Sequence, residues 1–223
     1  MRQLGVFAKF WQPGEVKTRL ASRWGAIAAS QLYRGFLAAT IHRFASLADR
    51  RVLAFTPVER RNEFAELAAG RWQLEPQSAG DLGERMRNYF AAAFAGGATH
   101  AVLIGSDSPT LPSEFVERAF VLLQTHDVVL GPTDDGGYYL VGAANRVPSI
   151  FEGIAWSTPR VWDQTLARIR DAGISHAELP PWYDVDEPAD LARLRLEMAT
   201  RLGEPEIGVL SRLVERVCSS PPA

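Results

Sequence analysis

Short apolar runs alternate along this chain with longer amphipathic stretches, and that alternation restricts the possible folds more than any other feature. The runs Leu4–Ala8, Arg51–Thr56, Ala101–Gly105, Asp127–Gly131 and Tyr138–Gly142, with a weaker one at His176–Leu179, predict strands. Helical periodicity covers about Val16–Leu47, broken near Trp24–Gly25, then Val58–Ala68, Leu82–Ala95, Pro112–Gln124, Pro159–Ala172, Pro188–Leu202 and Pro205–Val217. Pro112, Pro159 and Pro188 are expected in the first turns of their helices. Strands that alternate with helices pack as a mostly parallel sheet covered on both faces. The expectation is one α/β domain over residues 1–218 with a frayed tail at 219–223.

Composition removes several classes of function. A net charge of −2 leaves no basic excess to displace counterions from a nucleic acid. No apolar run reaches the roughly 18 residues of a membrane helix, and the N-terminal apolar stretch is too short for a signal peptide. The single cysteine, Cys218, excludes an internal disulfide and a cysteine-based zinc cluster. A cytoplasmic location fits all three observations.

In parallel α/β sheets ligands bind beyond the carboxyl ends of the strands, so polar motifs that follow strands carry the functional reading. The first is Phe10–Leu20, which holds Lys17 and directly follows Lys9, the chain's only two lysines against 22 arginines overall. It matches neither GxxxxGK[ST] nor GxGxxG. Pro13-Gly14 signals a turn, and a helix starting at Glu15–Val16 would place Lys17 and Arg19 in its first turns. Cations there oppose the helix dipole unless an anion compensates, which points to a phosphate ligand. An exposed lysine in that position is expected to add little to folding.

The second motif, Gly105-Ser106-Asp107-Ser108-Pro109, ends an apolar strand with an acid suited to a divalent ion bridging a diphosphate, or to capping the turn before a helix that Ser113 can also cap. The third is Asp134-Asp135-Gly136-Gly137, either a hairpin turn or backbone laid against a ligand beside a carboxylate. Tyr138 and Tyr139, which follow it, should point to opposite faces. The fourth is Asp184-Val185-Asp186, whose acids share one side of an extended segment; Asp186 is also placed to cap the helix at Pro188. Trp156-Ser157-Thr158-Pro159 reads as an N-cap at Thr158 with Trp156 available to flank an acceptor, and Asp81 as the cap of the helix at Leu82.

Taken in order, FAKxxxPGxVKTRL, GDLGxRM, GSDxPxLP, GPxxDGGYYLxG, IxWST and DVDxxxDL resemble the bacterial glycosyltransferase-A-like proteins. These range from nucleotide-diphospho-sugar transferases to glycosyltransferases associated with radical-SAM or arsenosugar biosynthesis. The resemblance runs from about Phe7 to Leu191, with Trp11 standing where such chains usually carry proline. More distantly the chain is similar to molybdenum-cofactor and phospholactate nucleotidyltransferases. The resemblance implies a Rossmann-like glycosyltransferase-A fold, with Asp107 as the first metal-binding Asp and Asp186 as the late one.

The resulting expectation is a transferase that holds Mg²⁺ or Mn²⁺ on Asp107, Asp186 and Asp184. Lys9, Pro13, Gly14, Lys17, Arg19, Ser106, Gly136, Gly137 and Trp156 would form the nucleotide and substrate surface, with Asp135 as base or acceptor-orienting group. Glycosyl transfer from a nucleotide-sugar to a small acceptor is the first reading. Nucleotidyl transfer from an NTP to a phosphorylated small molecule is the alternative, and a non-catalytic nucleotide sensor a third.

Overall fold

All six apolar runs expected as strands join one sheet, and a seventh strand joins them at an edge. The computed structural model describes residues 1–201 and 203–219. Its elements run β1 (Arg2–Lys9), α1 (Thr18–Arg43), β2 (Arg50–Thr56), α2 (Arg61–Ala68), β3 (Gln73–Pro76), α3 (Leu82–Ala95), β4 (His100–Ile104) and α4 (Ser113–Leu122). They continue through β5 (Val128–Pro132), β6 (Tyr138–Ala144), α5 (Val161–Asp171), β7 (His176–Glu178), α6 (Pro188–Ala199) and α7 (Pro205–Ser219). Of the tail expected at 219–223, Ser219 closes α7 and 220–223 lie outside the described residues. Among the described residues no helix is long and apolar enough to cross a membrane.

The sheet order is β3-β2-β1-β4-β6-β5-β7. All neighbours are parallel except β6, which runs antiparallel between β4 and β5. This reversal places the start of β6 beside the carboxyl ends of β4 and β5, so the third motif lands where the second one ends. Period-two alternation splits each strand between two cores. Leu53, Phe55, Val102 and Ile104 pack with Leu37, Phe44 and Phe120 on one face. Val52, Ala54, Ala101 and Leu103 pack with Met86, Phe90 and Ile169 on the other. Burying each such phenylalanine contributes about 2–3 kcal/mol.

A third apolar cluster joins the outer side of α1 to α6 and α7 through Leu32, Phe36, Leu194 and Leu210. As expected, α1 is interrupted at Gly25, whose φ of 83° and ψ of 157° are open to glycine and strained for other residues. Trp11 is half-buried: it packs edge-on against Phe64 with Arg34 over its ring, which anchors the first loop to the core.

Several helix starts differ from expectation. Helix α1 begins at Thr18 rather than near Val16. Of the three prolines expected in first turns, Pro112 and Pro159 precede α4 and α5, and Pro188 alone occupies the first helical position. Ser113 is the first residue of α4 and does not cap it. Thr158 is not the cap of α5 but closes its own short turn, donating to the Ala155 carbonyl at 2.7 Å. Asp81 caps α3 as expected, in a reciprocal pair with Glu84.

Candidate active site

The loop after β4 carries four polar side chains, and three of them face the protein. Ser106 hydrogen-bonds the Tyr33 hydroxyl at 2.8 Å, Ser108 donates to Asp184 Oδ1 at 2.5 Å, and Thr110 donates to Glu197 Oε2 at 2.9 Å. Asp107 alone turns its carboxylate outward. Its backbone carbonyl accepts from the Val185 amide at 2.9 Å, which sews the second motif to the fourth. Val185 is fully buried, and Asp184 and Asp186 on either side of it both line the cleft, as alternation requires. The capping alternative for Asp186 is removed: Glu187 is the N-cap of α6, with Asp190 completing the capping box.

Lys17 is the finding least like its expectation. Its side chain is 3% exposed, and its ammonium bridges Asp107 Oδ1 and Asp186 Oδ1, the latter at 2.8 Å. It also stands 5.9 and 5.8 Å from the ring centres of Tyr33 and Phe36. Its backbone adopts the left-handed conformation (φ 47°), a costly choice for a residue with a Cβ, at the position just before α1. Burial alone would push the ammonium toward neutrality. The adjacent Asp107 and Asp186 carboxylates outweigh that and hold its pKa above the ordinary lysine range. Lys17 is thus a buried member of an ion cluster and not an exposed first-turn cation.

These groups border a cleft of about 730 Å³, within the usual range for ligand sites. One wall is ionic: Lys17, Arg19, Asp107, Asp184 and Asp186, with Arg19 held by Glu187 at 3.1 Å. The facing wall is apolar, from Leu82, Tyr138, Trp156 and Val161, with the Tyr138 and Trp156 rings edge to face. Tyr139 turns the other way into the core and donates to the Pro180 carbonyl, so the two tyrosines divide between faces as expected.

The Asp134–Gly137 segment is the turn of the β5–β6 hairpin and also borders the cleft. Asp135 Oδ1 accepts from the Thr133 hydroxyl at 2.5 Å and the Gly137 amide at 3.1 Å. Gly136, with φ of +88°, meets protein and not cleft: a Cβ there would lie 2.3 Å from the Pro159 carbonyl oxygen. Lys9, paired with Glu15 at 3.4 Å, and the exposed Pro13-Gly14 turn lie outside the cleft lining. Ser106 lines a smaller chamber of about 240 Å³ that shares Leu82, Asp107, Tyr138 and Asp184 with the cleft.

On the ionic wall three carboxylates face Lys17 and Arg19, and Arg19 is already held by Glu187. The Asp184 carboxyl is pushed up to about 7, first by burial and then by the neighbouring Asp107 carboxylate. Among the described residues no three acidic, histidine or cysteine side chains form a ready metal-ligand set. Asp107 and Asp186 both converge on the Lys17 ammonium through Oδ1, and a Mg²⁺ ion, which commonly takes one or two protein carboxylates with substrate oxygens completing its shell, would use the oxygens that Lys17 leaves open. Asp107 and Asp186 are the residues that would hold such an ion.

Residues 40–158 match the family described as an uncharacterized protein conserved in bacteria (DUF2064). The chain belongs to this family. The span matched to DUF2064 holds Asp107, Asp135 and Trp156, while Lys17, Asp184 and Asp186 lie outside it. A 3-phospho-D-glycerate guanylyltransferase from Phenylobacterium zucineum (strain HLK1) is 34% identical over 187 residues, covering 78% of this DUF2064 chain and 81% of that protein. A Desulfovibrio desulfuricans G20 structure classed with the nucleotide-diphospho-sugar transferases superposes with a TM-score of 0.85. It is 31% identical and covers 97% of both chains. The inositol-1-phosphate CTP transferase of T. maritima shares the fold, with a TM-score of 0.58 at 14% identity over 100% of this chain and 98% of its own. The glycosyltransferase-A-like resemblance therefore holds at the level of fold.

The raised Asp184 pKa makes stability fall with pH. The folded protein keeps this proton up to about pH 7, whereas an unfolded chain releases it near pH 4. The stability it contributes is complete below about pH 4 and is lost as pH rises to about 7. Asp184→Asn keeps an acceptor for Ser108 and cannot titrate. In metal-free buffer its melting temperature should vary less across that window than the wild type's. Parallel curves would show that the carboxyl does not titrate there.

Proposed function

We propose that this protein is a nucleotidyltransferase that joins an NTP to a phosphorylated small molecule and releases pyrophosphate. The observation that carries the reading is the guanylyltransferase relative at 34% identity, taken together with the ionic wall of Lys17, Asp107 and Asp186 at the strand ends. Nucleotidyl transfer was the alternative at the level of sequence; the guanylyltransferase relative supports it better than glycosyl transfer. A divalent ion on Asp107 and Asp186, with Asp184 beside them, would offset charge on the triphosphate and on the leaving pyrophosphate. Lys17 and Arg19 supply fixed positive charge on the same wall.

This chemistry alters the role open to Asp135. A phosphate acceptor is already largely deprotonated near neutral pH and needs no general base. Asp135 then acts by fixing the 133–137 turn at the acceptor side of the cleft, through its bonds to Thr133 and Gly137. Glycosyl transfer remains the second reading, favoured by the Desulfovibrio desulfuricans G20 structure at 31% identity.

One experiment separates the readings. The protein is incubated with Mg²⁺ or Mn²⁺, a panel of NTPs with phosphorylated acceptors, and a parallel panel of nucleotide-sugars, and products are followed by phosphorus NMR. Pyrophosphate together with a new diphosphate linkage is the expected result. Nucleoside diphosphate released from a nucleotide-sugar, with no pyrophosphate from any NTP, would replace this reading with glycosyl transfer. Binding without turnover in both panels would favour a sensor.

A further inference from the structure

Both acid-bearing segments of the site are tied to one carboxylate on α6 that lies outside the cleft lining. Glu197 Oε2 accepts from the Tyr183 hydroxyl at 2.5 Å and from the Thr110 hydroxyl at 2.9 Å. Thr110 is fully buried and sits three residues after Asp107; Tyr183 is buried and directly precedes Asp184. Glu197 Oε1 accepts from Arg201 at 2.7 Å, and the same guanidinium donates to the Thr110 carbonyl at 2.8 Å. One turn earlier on α6, Arg193 lies 3.8 Å above the Tyr183 ring and donates to Asp134 at 3.0 Å. Residues 193 and 197 thus grip Tyr183 from its face and its hydroxyl, as neighbours four apart on a helix can.

We propose that Glu197 is a positioning residue for the reaction inferred above, and that through Tyr183 and Thr110 it sets the spacing of Asp107 and Asp186 around Lys17. The same segments are also tied by the Val185–Asp107 backbone bond, by the Ser108–Asp184 contact, by a 3.5 Å contact between the Thr110 and Tyr183 hydroxyls, and through Lys17 between Asp107 and Asp186. Those bonds fix the register of the segments. The Glu197 clamp closes the far end of the same junction, so the pair of carboxylates is held from both sides. Hydrogen bonds to a charged acceptor are shorter and stronger than neutral ones, which suits a group that must hold two loops at fixed spacing. Loss of a supporting partner of this kind typically costs 10–100-fold in metal affinity or activity.

The protein's two lysines make the test direct, because lysine side-chain NMR contains only two residues' signals, one from exposed Lys9 and one from buried Lys17. Tyr183→Phe and Glu197→Gln are compared with wild type by this signal, by melting temperature and by turnover. The expected result is a shifted and broadened Lys17 ammonium signal in both variants and turnover lowered about 10-fold or more. The double variant should be no worse than Glu197→Gln alone, since both changes break one network. A lower melting temperature with an unmoved Lys17 signal would overturn the proposal and leave Glu197 as a strut between helix and loop. If Glu197→Gln fails to fold, Tyr183→Phe, which removes only a hydroxyl, decides the question alone. A moved Lys17 signal in a protein that releases no pyrophosphate in wild-type form supports the positioning role and counts against nucleotidyl transfer.

Discussion

Asp107→Asn should lower pyrophosphate-releasing turnover by about a hundred-fold or more while leaving the melting temperature close to wild type. The asparagine keeps the shape of the side chain, and the bond that ties residue 107 to Val185 is made by the backbone and survives the change. What is lost is one negative charge on the outward-facing wall, at the single polar side chain of its loop not engaged with the protein interior apart from Lys17. Lys17 keeps Asp186 as a partner, so the fold retains a compensated ammonium. The fall should appear in kcat and be partly recovered by raising Mn²⁺, since a weakened ion site fills at higher concentration. Turnover within a few-fold of wild type at limiting metal would remove Asp107 from the chemistry.

The second large effect concerns Lys17→Met. Removing one partner of a buried ion pair commonly costs 3–5 kcal/mol. Here the two carboxylates are 41% and 43% exposed and stay partly hydrated, so the expected loss is smaller, about 2 kcal/mol. For a chain of this size that lowers the melting temperature by about 4–8 °C. Asp107, Asp184 and Asp186 would then face one another without a cation, and Mg²⁺ or Mn²⁺ should restore much of the loss by binding the folded state. Differential scanning fluorimetry with and without the ion reads this directly. Turnover should fall as well, because fixed positive charge on the triphosphate side is gone. A variant as stable as wild type in the absence of metal would show that the ammonium is not paired as described.

How much of this was legible in the sequence depends on the range of the interactions involved. The strands of the central sheet were readable because β-branched and apolar runs identify them locally. Gln73–Pro76 was not: a four-residue edge strand containing glutamine, glutamate and proline has no apolar signature, and pairing with β2 alone makes it a strand. Pro112 and Pro159 were placed inside helices because proline fits a first turn, yet it fits the residue before a helix equally well.

In the site, Asp184 and Asp186 fell on one side by simple alternation, and both do line the cleft. The burial of Lys17 was not readable, because its lid is made of residues that follow it by 90 and 169 positions, Asp107 and Asp186. Glu197 left a signal that went unused. It lies three residues after Leu194 and one before Met198, both buried, and a carboxylate on that side of a helix needs partners. Gly136 was read as space for a ligand, while the space is taken by Pro159.

The two ends of the sheet carry a consequence for how the protein behaves in a crowd of its own copies. A sheet's outermost strands present unpaired amides and carbonyls, and a long flat one can recruit a strand from another molecule. Here the flanks are β3, four residues ending in a proline that has no amide to offer, and β7, three residues long and bearing Glu178. The long, apolar strands lie between them. The material most prone to intermolecular pairing is therefore shielded on both sides by segments too short and too polar to seed it.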